Sequence, residues 1–317
     1  MEDIRELQLT SFSKEAQDIV LQAWSQGTTN SYNVYLKQWA EYCTNNNIDS
    51  RNATIREGVE FLTHLFHGKK LGYSAINSAR SALSLFINTN NALTFGKQDI
   101  VSKLLKGMFR LRPSFPKYMV TYDPDIVLRY LRNLIDMNLK QLTLKLTTLL
   151  CLLTGQRNQT IHSLDIKYMH EEDERIIFFI PTILKTTKPN SHLEPLELRR
   201  FHDDEALCVV THILLYIDVT AEVRGSSTQL LLSYVSPHAP VTAATTAKWV
   251  KETLKNAGVD TKIFTSHSTR SSSTSAAKMK GLAIRDIRKA AGWKPGSTFA
   301  RYYNKPVVTN FGESILQ

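Results

Sequence analysis

The sequence predicts a mainly α-helical chain of two domains, with a small antiparallel β-sheet confined to the second. Three observations predict it. Up to about residue 112 the apolar residues recur at helical spacing, and no run alternates as a strand would. Two prolines, Pro113 and Pro116, then break any helix. Beyond them the only convincing strand signals are RIIFFI, Arg175 to Ile180, and LEPLEL, Leu193 to Leu198. The expected boundaries are 1–112 for the first domain, 113–122 for a linker and 123–317 for the second domain. A length of 317 residues is ample for two cores.

Taken in order, the first helix is capped by Ser13 and carries Ala16, Ile19, Val20, Ala23 and Trp24 on one side. Tyr32, Tyr35, Leu36, Trp39 and Tyr42 form a second stripe, ended by the Asn45–Asn47 turn. Val59, Leu62 and Phe66 mark a third helix, and Ile76, Ala79, Leu83 and Phe86 a fourth. After the linker, Asp123–Pro124 reads as an N-cap followed by proline at the first helical position, with Val127, Leu128, Leu131, Leu134 and Ile135 as its stripe. Leu142 to Leu153 is apolar on most sides and is expected to be a central buried helix that ends at Gly155. The two strands enclose PTILKTTKPNSH, a long hairpin loop. Further helices are expected from Asp203, capped by its own carboxylate, from Thr242 to Ala257, and through 264–303, where Gly281 and Gly292 close successive helices and Ser297 caps a last short one.

Composition narrows the function. A formal charge of +10 favours a polyanionic partner, and nucleic acid is the commonest. The acidic start MEDIREL is unlike a signal peptide, and LTLKLTTLLCLL is too short to span a bilayer and contains Lys145, so an intracellular protein is expected. Cys151 and Cys208 lie in apolar runs, as buried thiols do. Lys97, Lys103, Lys106, Arg110, Arg112 and Lys117 face a single acid, Asp99, and suit a segment lying along phosphates, or equally a solvated helix face. His64 and His67 have metal-ligand spacing but no further ligands nearby. With no GxxxxGK[ST], HExxH, GxSxG or CxxC, neither nucleotide, metal nor other cofactor is expected.

The chemistry concentrates in FTSHSTRSSSTSAAKMKGLAIRDIRKAAGWKPGSTFARYYN, residues 264–304. His267 and Arg270, three apart, share a helix face and could converge on one anion. The guanidinium fork suits phosphate oxygens and stays charged, and a phenol beside it could attack phosphorus. Breaking a phosphodiester without metal needs such a nucleophile, stabilisation of the added negative charge and a proton for the leaving oxygen.

TGQR at 154–157, LKT at 184–186, HSTR at 267–270, AGW at 291–293 and STFARYYN at 297–304 stand in the order of the tyrosine recombinases, the phage-integrase family. The chain resembles that family over nearly its whole length, and within it the eukaryotic Crypton- or DIRS-like branch of mobile elements. The resemblance implies a two-domain clamp: a helical core-binding domain, then a catalytic domain that cleaves and rejoins DNA through a 3′-phosphotyrosyl intermediate. It implies Arg157 and Arg270 on the phosphate, His267 bonding it or moving a proton, and Lys185 as mobile general acid, with Lys188 the alternative. Trp293 stands at the family's His/Trp position. The eukaryotic pattern puts the nucleophile at Tyr303 and the bacterial spacing at Tyr302. Thr160 replaces a common family Glu. The implied setting is a homo-tetramer on paired double-stranded DNA sites in the nucleus, with no membrane and no small-molecule substrate. A domesticated DNA-binding protein and a tyrosine-type topoisomerase remain the alternatives.

Overall fold

The computed structural model describes residues 12–50, 52–87, 93–115, 118–184, 187, 189, 194–293 and 303–307. The chain divides into two compact units, Met1–Pro116 and Lys117–Gln317.

Among the described residues, five α-helices build the first unit: α1 (Lys14–Leu21), α2 (Gln26–Asn45), α3 (Ile55–His67), α4 (Tyr73–Leu83) and α5 (Asp99–Leu111). Local chemistry fixes their starts. Ser13 accepts from the Ala16 amide, and Thr54 and Glu57 form a reciprocal capping box at the head of α3. The aromatic stripes are core: Trp39, Phe61, Leu62, Leu65, Ile76 and Phe95 are fully buried. Gly58 is needed there, because a Cβ would fall 2.6 Å from both Ile87 and Phe95. Arg112 departs from the expected row of free cations. Its two terminal nitrogens donate to the carbonyls of Leu71 and Phe66, at 3.0 and 3.1 Å, and its guanidinium lies 4.2 Å above the Phe66 ring. Lys103 pairs with Asp99 at 2.8 Å, while Lys97, Lys106 and Arg110 are exposed; Lys117 lies outside the described residues.

The second unit is organised around α7 (Leu139–Thr154), whose residues Leu146, Leu149 and Leu150 are fully buried. Against it pack α8 (Asn158–His162), α9 (Val209–Thr220), α10 (Ala243–Asn256) and α11 (Ser268–Met279); α6 (Pro124–Arg132) and α12 (Ile284–Ala290) are the other α-helices among the described residues of this unit. Each leucine buried this way contributes about 1.5–3 kcal/mol of transfer free energy. The antiparallel sheet has the order β1 (Met169–Glu172), β2 (Arg175–Phe178), β3 (Leu196–Arg199), with Glu172 opposite Arg175 and Ile176 opposite Leu198.

Three expectations need correction. β1, MHEE, has no strand signature, because an edge strand needs backbone pairing more than apolar alternation. Asp203 does not cap a helix: α9 starts after Cys208, and Asp204 instead pairs with Arg132 at 2.6 Å. Ile135 lies beyond the end of α6 and is 78 % exposed. Ser297 lies outside the described residues. Among the described residues, no helix is long and apolar enough to cross a membrane.

Candidate active site

The site forms where α7, α11 and α12 end or begin. Gly155 turns the chain out of α7 in a left-handed conformation, φ 59°, and its missing Cβ leaves room for Thr274, whose methyl would be only 3.1 Å away. Gln156 then donates to the Ala290 carbonyl at 2.6 Å, tying this corner to the end of α12. Arg157 follows, half-buried, at the position preceding α8. The first member of the expected constellation is thus held on a corner bonded to the end of α12.

α11, STRSSSTSAAKM, is an unusual helix for a protein interior: Ser268, Thr269, Ser271, Ser272, Thr274 and Ser275 are all buried. Such residues hydrogen-bond locally and are poor helix formers, so their burial needs partners. They have them. Ser268 accepts from the Thr265 amide, Thr274 donates to the Arg270 carbonyl, and Ser271 and Ser275 both donate to the Tyr303 carbonyl, at 3.2 and 2.6 Å.

Arg270 is 2 % exposed. One terminal nitrogen donates to the Ala291 carbonyl at 2.7 Å, while Nε and Nη1 make no hydrogen bond of ordinary geometry among the described residues. Its guanidinium lies 4.4 Å from the Trp293 ring centre and 5.3 Å from that of Tyr303. Burial, and next the charge of Arg157, lower its pKa to about 9, with the Tyr303 side chain acting the other way. Arg270 therefore remains charged at neutral pH but lacks a full set of acceptors. An anion is the missing complement.

Trp293 is placed by the end of α12. Its amide bonds the Arg288 carbonyl and the Gly292 amide that of Lys289, with Gly292 at φ 62°, the paired pattern that closes helices on a left-handed glycine. The indole then lies against Tyr303, ring centres 4.6 Å apart. The Tyr303 hydroxyl is 3.2 Å from Nε2 of exposed His267, at the head of α11. In the neutral tautomer that leaves Nε2 unprotonated, the phenol donates to the imidazole; the geometry fits proton transfer from one to the other.

Arg157, His267, Arg270, Trp293 and Tyr303 are thus gathered at one corner of the second unit. Lys185, Lys188 and Tyr302 lie outside the described residues. Thr160 is buried in α8. Sequence reasoning missed what surrounds the corner: the serines of α11, Lys305, and Tyr118 and Tyr122. The SSSTS run was the available signal, since buried hydroxyls at four of five positions demand backbone partners.

The family model described as "Phage integrase family" matches residues 125–307. Among solved structures, XerH site-specific recombinase bound to a palindromic difH substrate in a post-cleavage complex has a TM-score of 0.59 at 18% identity, covering 91% of this chain and 77% of that one. A lambda integrase dimer bound to a COC′ core site has 0.53 at 17%, covering 92% and 93%. The Tn1549 transposon integrase in complex with transposon right end DNA has 0.58 at 14%, covering 99% and 98%. No curated protein sequence matches significantly. At these identities the structural likeness establishes the fold: mainly helical with a three-stranded antiparallel sheet.

Proposed function

This chain belongs to the phage integrase family and is a site-specific tyrosine recombinase, and from that premise we propose that Tyr303 is its nucleophile. The observation that carries the reading is the Tyr303 hydroxyl held 3.2 Å from His267 Nε2 and beside the buried cation of Arg270. In this mechanism Tyr303 Oη attacks the scissile phosphorus and its proton passes to His267. Arg157 and Arg270 take the non-bridging oxygens as negative charge grows on them. The bond from phosphorus to the 5′ oxygen breaks, leaving a 3′-phosphotyrosyl link. Lys185, which the resemblance to the family marks as the mobile general acid, supplies the proton for the departing 5′ hydroxyl. Reversal by a 5′ hydroxyl of another strand rejoins DNA and restores the phenol. A free tyrosine titrates near 10, and each unit by which bound cations favour its ionisation is worth about 1.4 kcal/mol.

The first unit then acts as the core-binding domain, with 1–112, 113–122 and 123–317 as functional divisions. Exposed Lys97, Lys106 and Arg110, together with Lys103 and Lys117, supply phosphate contacts. We place the chain in the Crypton/DIRS-like branch of mobile elements, on the STFARYYN ending and Trp293, and expect a tetramer on paired sites in a nucleus. One solved relative is a lambda integrase tetramer bound to a Holliday junction, which supports such an assembly. The test is selection of covalent adducts from a randomised library of nicked duplexes, in which the severed strand diffuses away and traps the intermediate. The wild-type chain is expected to yield adducts, and Tyr303→Phe none while still binding DNA. Adducts that persist in Tyr303→Phe overturn the assignment, and site-independent plasmid relaxation by the wild type favours a topoisomerase.

A further inference from the structure

The chain that enters the second unit runs directly beneath the candidate nucleophile. The Thr121 amide donates to the Pro306 carbonyl at 2.8 Å, and Thr121 and Val307 form a parallel β-bridge. The ammonium of Lys305, half-buried, donates to the Tyr118 carbonyl at 2.7 Å and lies 3.7 Å above the centre of the Tyr118 ring. Residues 118–122 grip the other half of the site as well. Tyr118 and Tyr122 flank the Phe264 ring, with centres 5.4 and 5.3 Å away, and Phe264 precedes His267 by three residues. Tyr122 donates its hydroxyl to Thr269 at 3.1 Å, and Ser272 donates to the Tyr122 carbonyl at 2.8 Å.

α11 lies between these two chains and binds both. Ser272 and Thr269 hold 122, while Ser271 and Ser275 hold the Tyr303 carbonyl; Ser275 also accepts from the Lys305 amide at 3.1 Å. The backbone on both sides of the Tyr303–Asn304 bond is therefore fixed from below, although the phenol itself is free to meet DNA. A reacting group displaced by about 1 Å loses roughly a hundredfold in rate, so a fixed backbone at this position matters to the chemistry.

We infer that Lys305, clamped on residues 118–122, is a positioning residue for the nucleophile: it sets where the Tyr303 hydroxyl sits relative to His267 and Arg270 without touching the DNA phosphorus. The inference rests on the reading of Tyr303 as the nucleophile. The clamp also explains the serine-rich α11, whose hydroxyls bond the carbonyls of Tyr122 and Tyr303.

The experiment uses the full chain and one duplex selected from the nicked library. Lys305→Met keeps the side chain's length and removes the charge and its hydrogen bond. Single-turnover adduct formation is expected to fall about 10- to 100-fold, with DNA affinity unchanged and the shape of the pH–rate profile retained. Lys305→Arg, which still reaches the Tyr118 carbonyl, is expected to recover most of the rate. A duplex with a 5′-phosphorothiolate at the scissile bond, whose sulfur leaves without a proton, is expected not to rescue Lys305→Met. Should Lys305→Met lose thermal stability, the pair Ser271→Ala and Ser275→Ala, which frees the Tyr303 carbonyl, is expected to show the same rate loss. Wild-type rates in both sets overturn the inference. So does rescue by the phosphorothiolate, which would make Lys305 the acid for the leaving group. Absence of adducts from the wild-type chain overturns the recombinase reading instead.

Discussion

Replacing Arg270 with methionine separates a side chain built for the fold from one held ready for an anion. The guanidinium is 2 % exposed, and burial together with Arg157 lowers its pKa from the ordinary guanidinium range to about 9. A value lowered on folding means that the charged form is disfavoured in the native state. That cost is fully present at neutral pH and is relieved only as pH rises through about 9. At about 1.4 kcal/mol per pH unit it amounts to roughly 5 kcal/mol, taken as an upper limit. Methionine removes the cost and still packs on Trp293. It also strips the Ala291 carbonyl of its donor, which forfeits about 1–3 kcal/mol. The DNA-free variant is therefore expected to be more stable by at most about 2–4 kcal/mol, which raises the melting temperature of a unit this size by at most about 4–16 °C. Adduct formation is expected to fall by about two to three orders of magnitude, as when an oxyanion donor is deleted. Calorimetry without DNA and single-turnover cleavage provide the two readouts. A variant that melts several degrees lower would refute the reasoning, because Arg270 would then be anchoring the fold.

Three further perturbations probe the frame of the site and the first unit. Gly155→Ala places a Cβ 3.1 Å from the Thr274 methyl in a backbone with φ 59°, and is expected to cost about 1–3 kcal/mol in denaturant unfolding while slowing cleavage through Arg157. Lys106→Ala is expected to reduce the slope of log affinity against log salt by about one, with no loss of stability. Arg112→Ala is expected to destabilise the first unit by about 2–3 kcal/mol, since the Phe66 and Leu71 carbonyls lose their donor, and to change the salt slope little.

Much of this could be read in the residues, and the reasons are physical. Helix starts such as Ser13 and Asp123–Pro124 depend on hydrogen bonds within a few positions, so they are written locally. The buried character of α7 follows from its composition, and the role of Gly155 from its place after an apolar run. The pairing of His267 with Arg270 was visible as a spacing. Its meaning was not, because the burial of Arg270 depends on Ala291, Trp293 and Tyr303, which approach only in the folded chain. For the same reason β1 escaped notice: MHEE becomes a strand by pairing with β2, a partner that local pattern does not reveal. The two carbonyls that accept from Arg112 are likewise invisible in the sequence, where it counts as one more charge in a basic row. The binding of residues 118–122 to Lys305 spans most of the second unit's sequence, and nothing local announces it.

The most direct measurement is the identity of the residue joined to DNA. Adducts selected from the nicked library are digested with nuclease and protease, and the peptide that retains a nucleotide is identified by mass spectrometry. The modification is expected on the Tyr303 hydroxyl, through the 3′ phosphate of the cleaved strand. A nucleotide found on Tyr302, or on any residue other than Tyr303, would contradict the account.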